Sequence, residues 1–260
     1  MGSLERLRNS VTTLDDVGAG VERFFQVLNH LNNDKMKEHK RDMEFRNSRQ
    51  TSSQPRGLLL GREEERKIIV QWLTKPETSA SDIALFSVIG ICGIGKTTLA
   101  QDICTAGDVK EQFYFVIWVC VSHDFDIETL TKKILDDITG RETTMVGLNA
   151  LHKALKERLS SKTFLLILDD VWNDERYEEW VNFLCPLKCG KEGSKILLTT
   201  QMQSLADVAA RAVQRERTQQ VECQSLRFFG LEETDLLLLL NRHAFFGVNP
   251  DDYRNLQQIS

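Results

Sequence analysis

Eight residues, Gly90-Ile-Cys-Gly-Ile-Gly-Lys-Thr97, separate an apolar run, Ile83–Ile89, from a helical pattern that opens at Thr98. The pattern G-x-x-x-x-G-K-T between a strand and a helix is the context that a phosphate-binding P-loop requires. Glycines let backbone N–H groups turn inward around phosphate oxygens, and the helix N-terminus adds its positive end. Lys96 is placed to reach the β- and γ-phosphates and Thr97 to ligate Mg²⁺. The chain is therefore expected to bind a nucleoside diphosphate or triphosphate.

A second feature points the same way. Phe164-Leu-Leu-Ile-Leu168 is an unbroken apolar run that ends in Asp169-Asp170. A parallel strand buried on both faces reads like this, and it delivers its acids at the carboxyl edge, where ligands bind. In a P-loop protein the first such acid holds Mg²⁺, directly or through water, and a following acid can polarise an attacking water.

Composition narrows the class. A length of 260 residues suits one sizeable α/β domain with a smaller appendage. No apolar run is long enough to span a membrane, and the N-terminus carries neither a hydrophobic signal nor a myristoylation pattern. A net charge of -5 gives no indication of nucleic-acid binding. The six cysteines are scattered. Cys185 and Cys189 are the close pair, without a second Cys/His pair to complete a zinc set, so buried free thiols are expected. The expectation is a soluble chain of the cytoplasm.

Along the chain, residues 1–45 are helical in pattern. Val17, Val21, Phe24, Leu28 and Leu31 share one face, as in a short coiled coil or a helix packed on its neighbour. Residues 46–57 read as a linker. From there a helix is expected over Glu63–Leu73 and a surface loop over Thr74–Asp82. A strand over Phe115–Val121 and helices over Ile127–Ile138 and Leu148–Leu159 lead to the acidic strand, and Ser194–Thr200 forms a further strand. The alternation predicts a parallel sheet with helices on both faces. After Leu205 the pattern turns helical, most clearly over Glu232–Phe246. The boundaries expected are 58–215 for the P-loop domain and 216–260 for a partial helical subdomain.

From Leu60 to about Phe246 the chain resembles the NB-ARC nucleotide-binding region of plant coiled-coil NLR immune receptors. The resemblance rests on Gly61-Arg62-Glu63, the P-loop, Trp118-Val-Cys-Val-Ser122 followed by Phe125-Asp126, and Leu165-Leu-Ile-Leu-Asp-Asp-Val-Trp172. It extends through Gly193-Ser-Lys-Ile-Leu-Leu-Thr-Thr200 and the segment from Leu231-Glu-Glu to His243-Ala-Phe245, the start of the helical ARC1 subdomain. It implies a STAND-type P-loop NTPase fold and an ADP/ATP switch that rests with ADP. Gly90, Gly93, Gly95, Lys96, Thr97 and Thr98 would contact the phosphates, Asp169 the Mg²⁺, and Arg62 would lie near the nucleoside. Thr200 and Gln201 would face the γ-phosphate, and Asp169 with Asp170 would carry any hydrolysis. The partners implied are other NLR chains or signalling proteins, met through the N-terminal helix.

Three departures qualify the match. The family's sensor strand ends Thr-Thr-Arg, whereas this one ends Thr199-Thr200-Gln201, and a neutral amide stabilises γ-phosphate charge less than a guanidinium. ATP discrimination is expected to weaken, unless a base such as Lys195 or Arg211 substitutes, and turnover to be very slow. Cys92 stands where the family has Gly, and its Cβ would restrict positive φ. The Gly-Leu-Pro-Leu-Ala and Met-His-Asp motifs, the leucine-rich repeats and the acidic N-terminal motif are not found, which reads as a truncated receptor. The alternative function is thus a receptor fragment acting as an interaction or decoy module without nucleotide cycling.

Overall fold

In the computed structural model the described residues are 59–75, 83–121, 125–172, 176–214 and 222–244, the last five by backbone alone. The expected N-terminal helix and linker, and most of the loop before Ile83, lie outside them. Eight α-helices and five strands are described, besides one 3-10 turn (Leu187–Cys189): α1 (Glu63–Thr74), β1 (Ile83–Ile89), α2 (Lys96–Thr105), α3 (Gly107–Gln112), β2 (Phe115–Cys120), α4 (Ile127–Thr139), α5 (Leu148–Leu159), β3 (Phe164–Val171), α6 (Tyr177–Leu184), β4 (Ser194–Thr200), α7 (Gln203–Gln214), β5 (Cys223–Arg227) and α8 (Glu233–Ala244).

The strands form one sheet in the order β2-β3-β4-β1-β5, with every neighbouring pair parallel. All seven residues of both β1 and β4 are buried, Ser87 and the polar ends of β4 included, because helices cover both faces of these central strands. Strand alternation divides the core in two. Phe86, Val88, Leu165, Ile167 and Leu197 face Ile69, Trp72, Leu99 and Ile103 of α1 and α2. Leu85, Ile117, Val119, Leu166, Leu168 and Leu198 face α4–α7, including Leu130, Leu155, Trp180 and Leu205. The expected α/β architecture with helices on both faces is therefore observed.

Strand order positions the two motifs. β4 lies between the P-loop strand and the acidic strand, so its carboxyl end separates Gly90 from Asp169. β5 joins the far side of β1. The sheet thus runs past residue 215, where the P-loop domain was expected to end, and part of the segment assigned to the helical subdomain is its edge strand.

Phe125-Asp126 has a structural role. Phe125 packs against Trp180 and Phe183, with centroids 4.6 and 5.5 Å away. Asp126 caps α4, accepting the Thr129 N–H at 2.9 Å. Hydrogen bonding from Thr129 holds the Asp126 carboxyl below its usual range.

Lys195 also proves structural, because it is the second residue of β4, at the end of the strand opposite the P-loop. Its ammonium donates to the carbonyls of Trp72, Leu73 and Lys75 at 2.8, 3.2 and 3.0 Å and lies 4.9 Å from the Trp72 ring. It satisfies the last carbonyls of α1 with a charge of the favourable sign. Lys195→Met is expected to cost about 2–3 kcal/mol by orphaning these acceptors, lowering Tm by about 5–10 °C. ADP affinity should not change. Thermal unfolding and titration of the variant check both statements. Arg211, the other base considered, lies 5.9 Å from the Tyr177 ring, on the helix after β4.

Candidate functional site

The site grows out of the carboxyl edges of β1, β3 and β4. After Ile89 the chain turns through Gly93 (φ 76°) and Gly95 (φ 100°), left-handed values that a side chain at either position would strain. Gly90 has a different reason to be glycine. A Cβ there would lie 3.0 Å from Ile94 Cγ2 and 3.1 Å from Phe228 Cβ. Cys92 is not among the positive-φ residues, so the restriction expected from its Cβ does not arise. Its thiol is exposed rather than buried, as is that of Cys185, and all six cysteines are free. The expectation of buried thiols holds for Cys104 alone.

Gly95 is the N-cap of α2 and offers no side chain to the first-turn N–H groups, which leaves them directed at the loop. Lys96 is buried, and its ammonium donates to Gly90 O at 2.8 Å and Ile91 O at 3.0 Å. Burial pushes its pKa down, opposed by the nearby carboxylates of Asp170 and Asp169. Thr97 donates from Oγ1 to both carboxylate oxygens of Asp169, at 3.1 and 3.0 Å. Thr98 follows in the first turn of α2, half-buried.

Asp169 is 3 % exposed, and burial raises its pKa to about 6 despite hydrogen bonds from Thr199 and Thr97. Asp170 has φ 58°, a left-handed value in a β-bulge between β3 and β4. The bulge lets two consecutive acids leave the ladder together. One side chain stabilises this geometry: Thr199 Oγ1 donates to Asp169 Oδ1 at 2.7 Å and accepts the Asp170 N–H at 2.8 Å.

Thr199 was not among the residues singled out from sequence. It follows from β4 lying beside β3, an order that one strand's sequence does not reveal. Thr200, the residue assigned toward the γ-phosphate, is fully buried. Its hydroxyl donates to Val171 O at 2.8 Å and accepts the Met202 N–H at 3.1 Å, while its carbonyl accepts the Gly90 N–H at 3.1 Å. Thr200 therefore braces the P-loop through its backbone. Gln201 follows at the strand end, half-buried.

Arg62 stands just before α1, 5 % exposed. Its guanidinium donates to Glu65 Oε1 at 2.7 Å, to Ile94 O of the P-loop at 3.3 Å and to Phe229 O at 2.6 Å. It also lies 4.7 Å from the centroid of the Phe228 ring.

A Mg-nucleotide fits this set. Thr97 and Asp169 present hard oxygens to one point, which suits Mg²⁺, and the glycine turn keeps backbone donors clear for phosphate. Removing the Thr199 hydroxyl tests the electrostatics. Thr199→Val would deprive Asp169 of a donor and push its pKa further above about 6. The pH at which Mg²⁺-dependent nucleotide binding is half lost should rise by about one unit. A Mg²⁺ titration of nucleotide binding across pH 5–8 measures it.

Comparison with known proteins agrees with the geometry. The NB-ARC domain profile matches residues 62–231. The putative disease resistance protein RGA1 of Solanum bulbocastanum is 32% identical over 198 residues, covering 74% of this chain and 20% of its own length. The putative disease resistance protein RGA4 of the same species is 36% identical over 185 residues, covering 71% of this chain and 18% of its own. The chain thus spans about a fifth of the length of these curated relatives. Among solved structures, Cdc6p from Pyrobaculum aerophilum has a TM-score of 0.52 at 15% identity, covering 73% of this chain and 51% of its own. The ADP form of the Aeropyrum pernix ORC2 protein has a TM-score of 0.51 at 19% identity, covering 76% and 56%. At such identities these two establish the fold alone. With the profile spanning most of the chain and a P-loop, acidic strand and sensor strand in order on one sheet, this chain belongs to the NB-ARC family.

Proposed function

We propose that this chain is the nucleotide-binding switch module of an intracellular plant immune receptor, resting with ADP and Mg²⁺ in the cytoplasm. The observation that carries the reading is the meeting of Thr97, from the P-loop, with Asp169, from the acidic strand, with the buried Lys96 ammonium held inside the same loop. The relatives' description as disease resistance proteins supports the receptor context. A bound Mg-nucleotide supplies the charge and the γ-phosphate that distinguish two states, and only such differential contact shifts an equilibrium.

Within the chain, the P-loop amides and Lys96 hold the phosphates, and Asp169 with Thr97 orients the metal. Asp170, the next residue on the bulge, would polarise water. Hydrolysis is at most very slow, because Gln201 offers the γ-phosphate neutral hydrogen bonds where a guanidinium would stabilise growing charge. Among the described residues no helix is long and apolar enough to cross a membrane.

Denaturing the purified protein and identifying the released nucleotide tests the reading. ADP near one per chain is expected, and a chain that carries none and takes up neither ADP nor ATP with Mg²⁺ overturns it. Gln201→Arg should raise the preference for ATP over ADP by about tenfold, the worth of one charge-assisted hydrogen bond. Competition titration reads this directly.

A further inference from the structure

Gly61 and Arg62 touch two parts of the molecule that the P-loop must otherwise reach separately. Gly61 adopts φ 65°, and α8 starts directly against it. A Cβ there would lie 2.5 Å from Asp235 Oδ2 and 2.9 Å from Leu231 Cδ2. On the other side, the Arg62 guanidinium joins the P-loop at Ile94 O to the β5–α8 connection at Phe229 O. Beneath it, Phe228 is tied to the end of β1 by its N–H to Ile89 O at 2.7 Å and closes over Gly90. Buried Arg62 therefore bridges residues 94 and 229 with a single side chain. Both bonds come from Nη2, whose two N–H groups diverge toward the two acceptors.

We infer that Arg62, seated on Phe228, is a positioning residue that couples occupancy of the P-loop to the placement of α8. The inference rests on the nucleotide-binding reading. A phosphate in the loop fixes the backbone from Gly90 to Gly95, and with it the Ile94 carbonyl. Arg62 passes that constraint to Phe229 and the first turn of α8. The first turns of α8 bear Leu236, Leu237 and Leu238, each more than half exposed.

Hydrogen exchange on the full chain tests this, using α2 as the reporter of nucleotide contact and α8 as the reporter of coupling. In the wild type, saturating ADP should slow exchange in both helices, by about tenfold or more. In Arg62→Gln and Phe228→Ala, ADP at saturation for each variant should still slow α2 but leave α8 unchanged. Without nucleotide, both variants should raise α8 exchange about tenfold while β3 stays protected. A merely structural role would change stability but not separate the two helices' responses to ADP. If Arg62→Gln fails to fold, seen as lost β3 protection, Phe228→Leu keeps the apolar packing, removes the ring and carries the same test. Slowing of α8 in the variants equal to the wild type overturns the coupling alone, as does a wild type that binds ADP with no α8 response. A wild type that takes up no ADP overturns the switch reading and the coupling together.

Discussion

Lys96→Ala is expected to weaken ADP binding by about a hundredfold while leaving the sheet folded. The ammonium sits inside the phosphate loop, where solvent is largely excluded, and it already donates to two loop carbonyls. An anionic phosphate oxygen is a stronger acceptor than either, and a hydrogen bond with a charged partner contributes about 1.5–3 kcal/mol. The loss converts to roughly two orders of magnitude in affinity. Stability without nucleotide should fall by about 1–2 kcal/mol at most, because two loop carbonyls lose their donor while alanine relieves the cost of burying a charged amine. At a ligand concentration a hundred times the wild-type Kd, ADP stabilises the wild type by about 2.7 kcal/mol and the variant by about 0.4 kcal/mol. The ADP-dependent rise in Tm, about 5–10 °C for the wild type, should nearly vanish. Unchanged affinity by calorimetric titration would mean that the loop does not serve phosphate.

How much of the fold is legible in the sequence depends on the kind of signal. β1 and β3 are readable because strands covered on both faces are largely apolar, β4 because Ile196-Leu-Leu198 forms its centre, and α5 because Leu148, Leu151, Leu155 and Leu159 keep helical spacing. β5 is not readable. Cys223-Gln-Ser-Leu-Arg227 is an edge strand whose Gln224, Ser225 and Arg227 are exposed, so little apolar pattern is imposed on it. α6 escapes a sequence reading although Trp180, Phe183 and Leu184 lie at helical spacing, since eight residues is near the lower limit for a periodic signal. α3 buries only Val109.

In the site, Lys96, Thr97 and Asp169 come from local motifs. Thr199 and Phe228 act through strand neighbours, and strand order is a property of the whole sheet. The distinction between Thr199 and Thr200 cannot be drawn from sequence because both end the same strand. Alternation along β4 decides it, turning Thr199 toward Asp169 and Thr200 toward Val171.

The same alternation produces the other large effect, a conflict between stability and metal binding at Asp169. Its folded pKa, about 6, lies above its ordinary value of 3.8 because burial disfavours the carboxylate. Between these values the native state holds a proton that the unfolded chain has released, so this group stabilises the fold below about pH 4. That contribution is lost as pH rises through about 6. At neutral pH the charged form costs about 3 kcal/mol. Asp169→Asn removes the cost, and the Thr97 and Thr199 hydroxyls can rotate to accept from the amide. The nucleotide-free variant should therefore be about 2–3 kcal/mol more stable at pH 7, with the pH 4–6 slope in unfolding free energy flattened. Mg²⁺ should then have no effect on its nucleotide affinity, because a neutral amide is a poor ligand for a hard cation. For the wild type, Mg²⁺ binding must compete with the proton, so the Mg²⁺-dependent part of affinity should fall about tenfold from pH 7 to pH 5. Denaturant unfolding across pH, with and without Mg-ADP, measures both sides. A less stable Asp169→Asn protein would mean that the carboxylate is held by its hydrogen bonds more strongly than burial disfavours it, and that the acid is structural first.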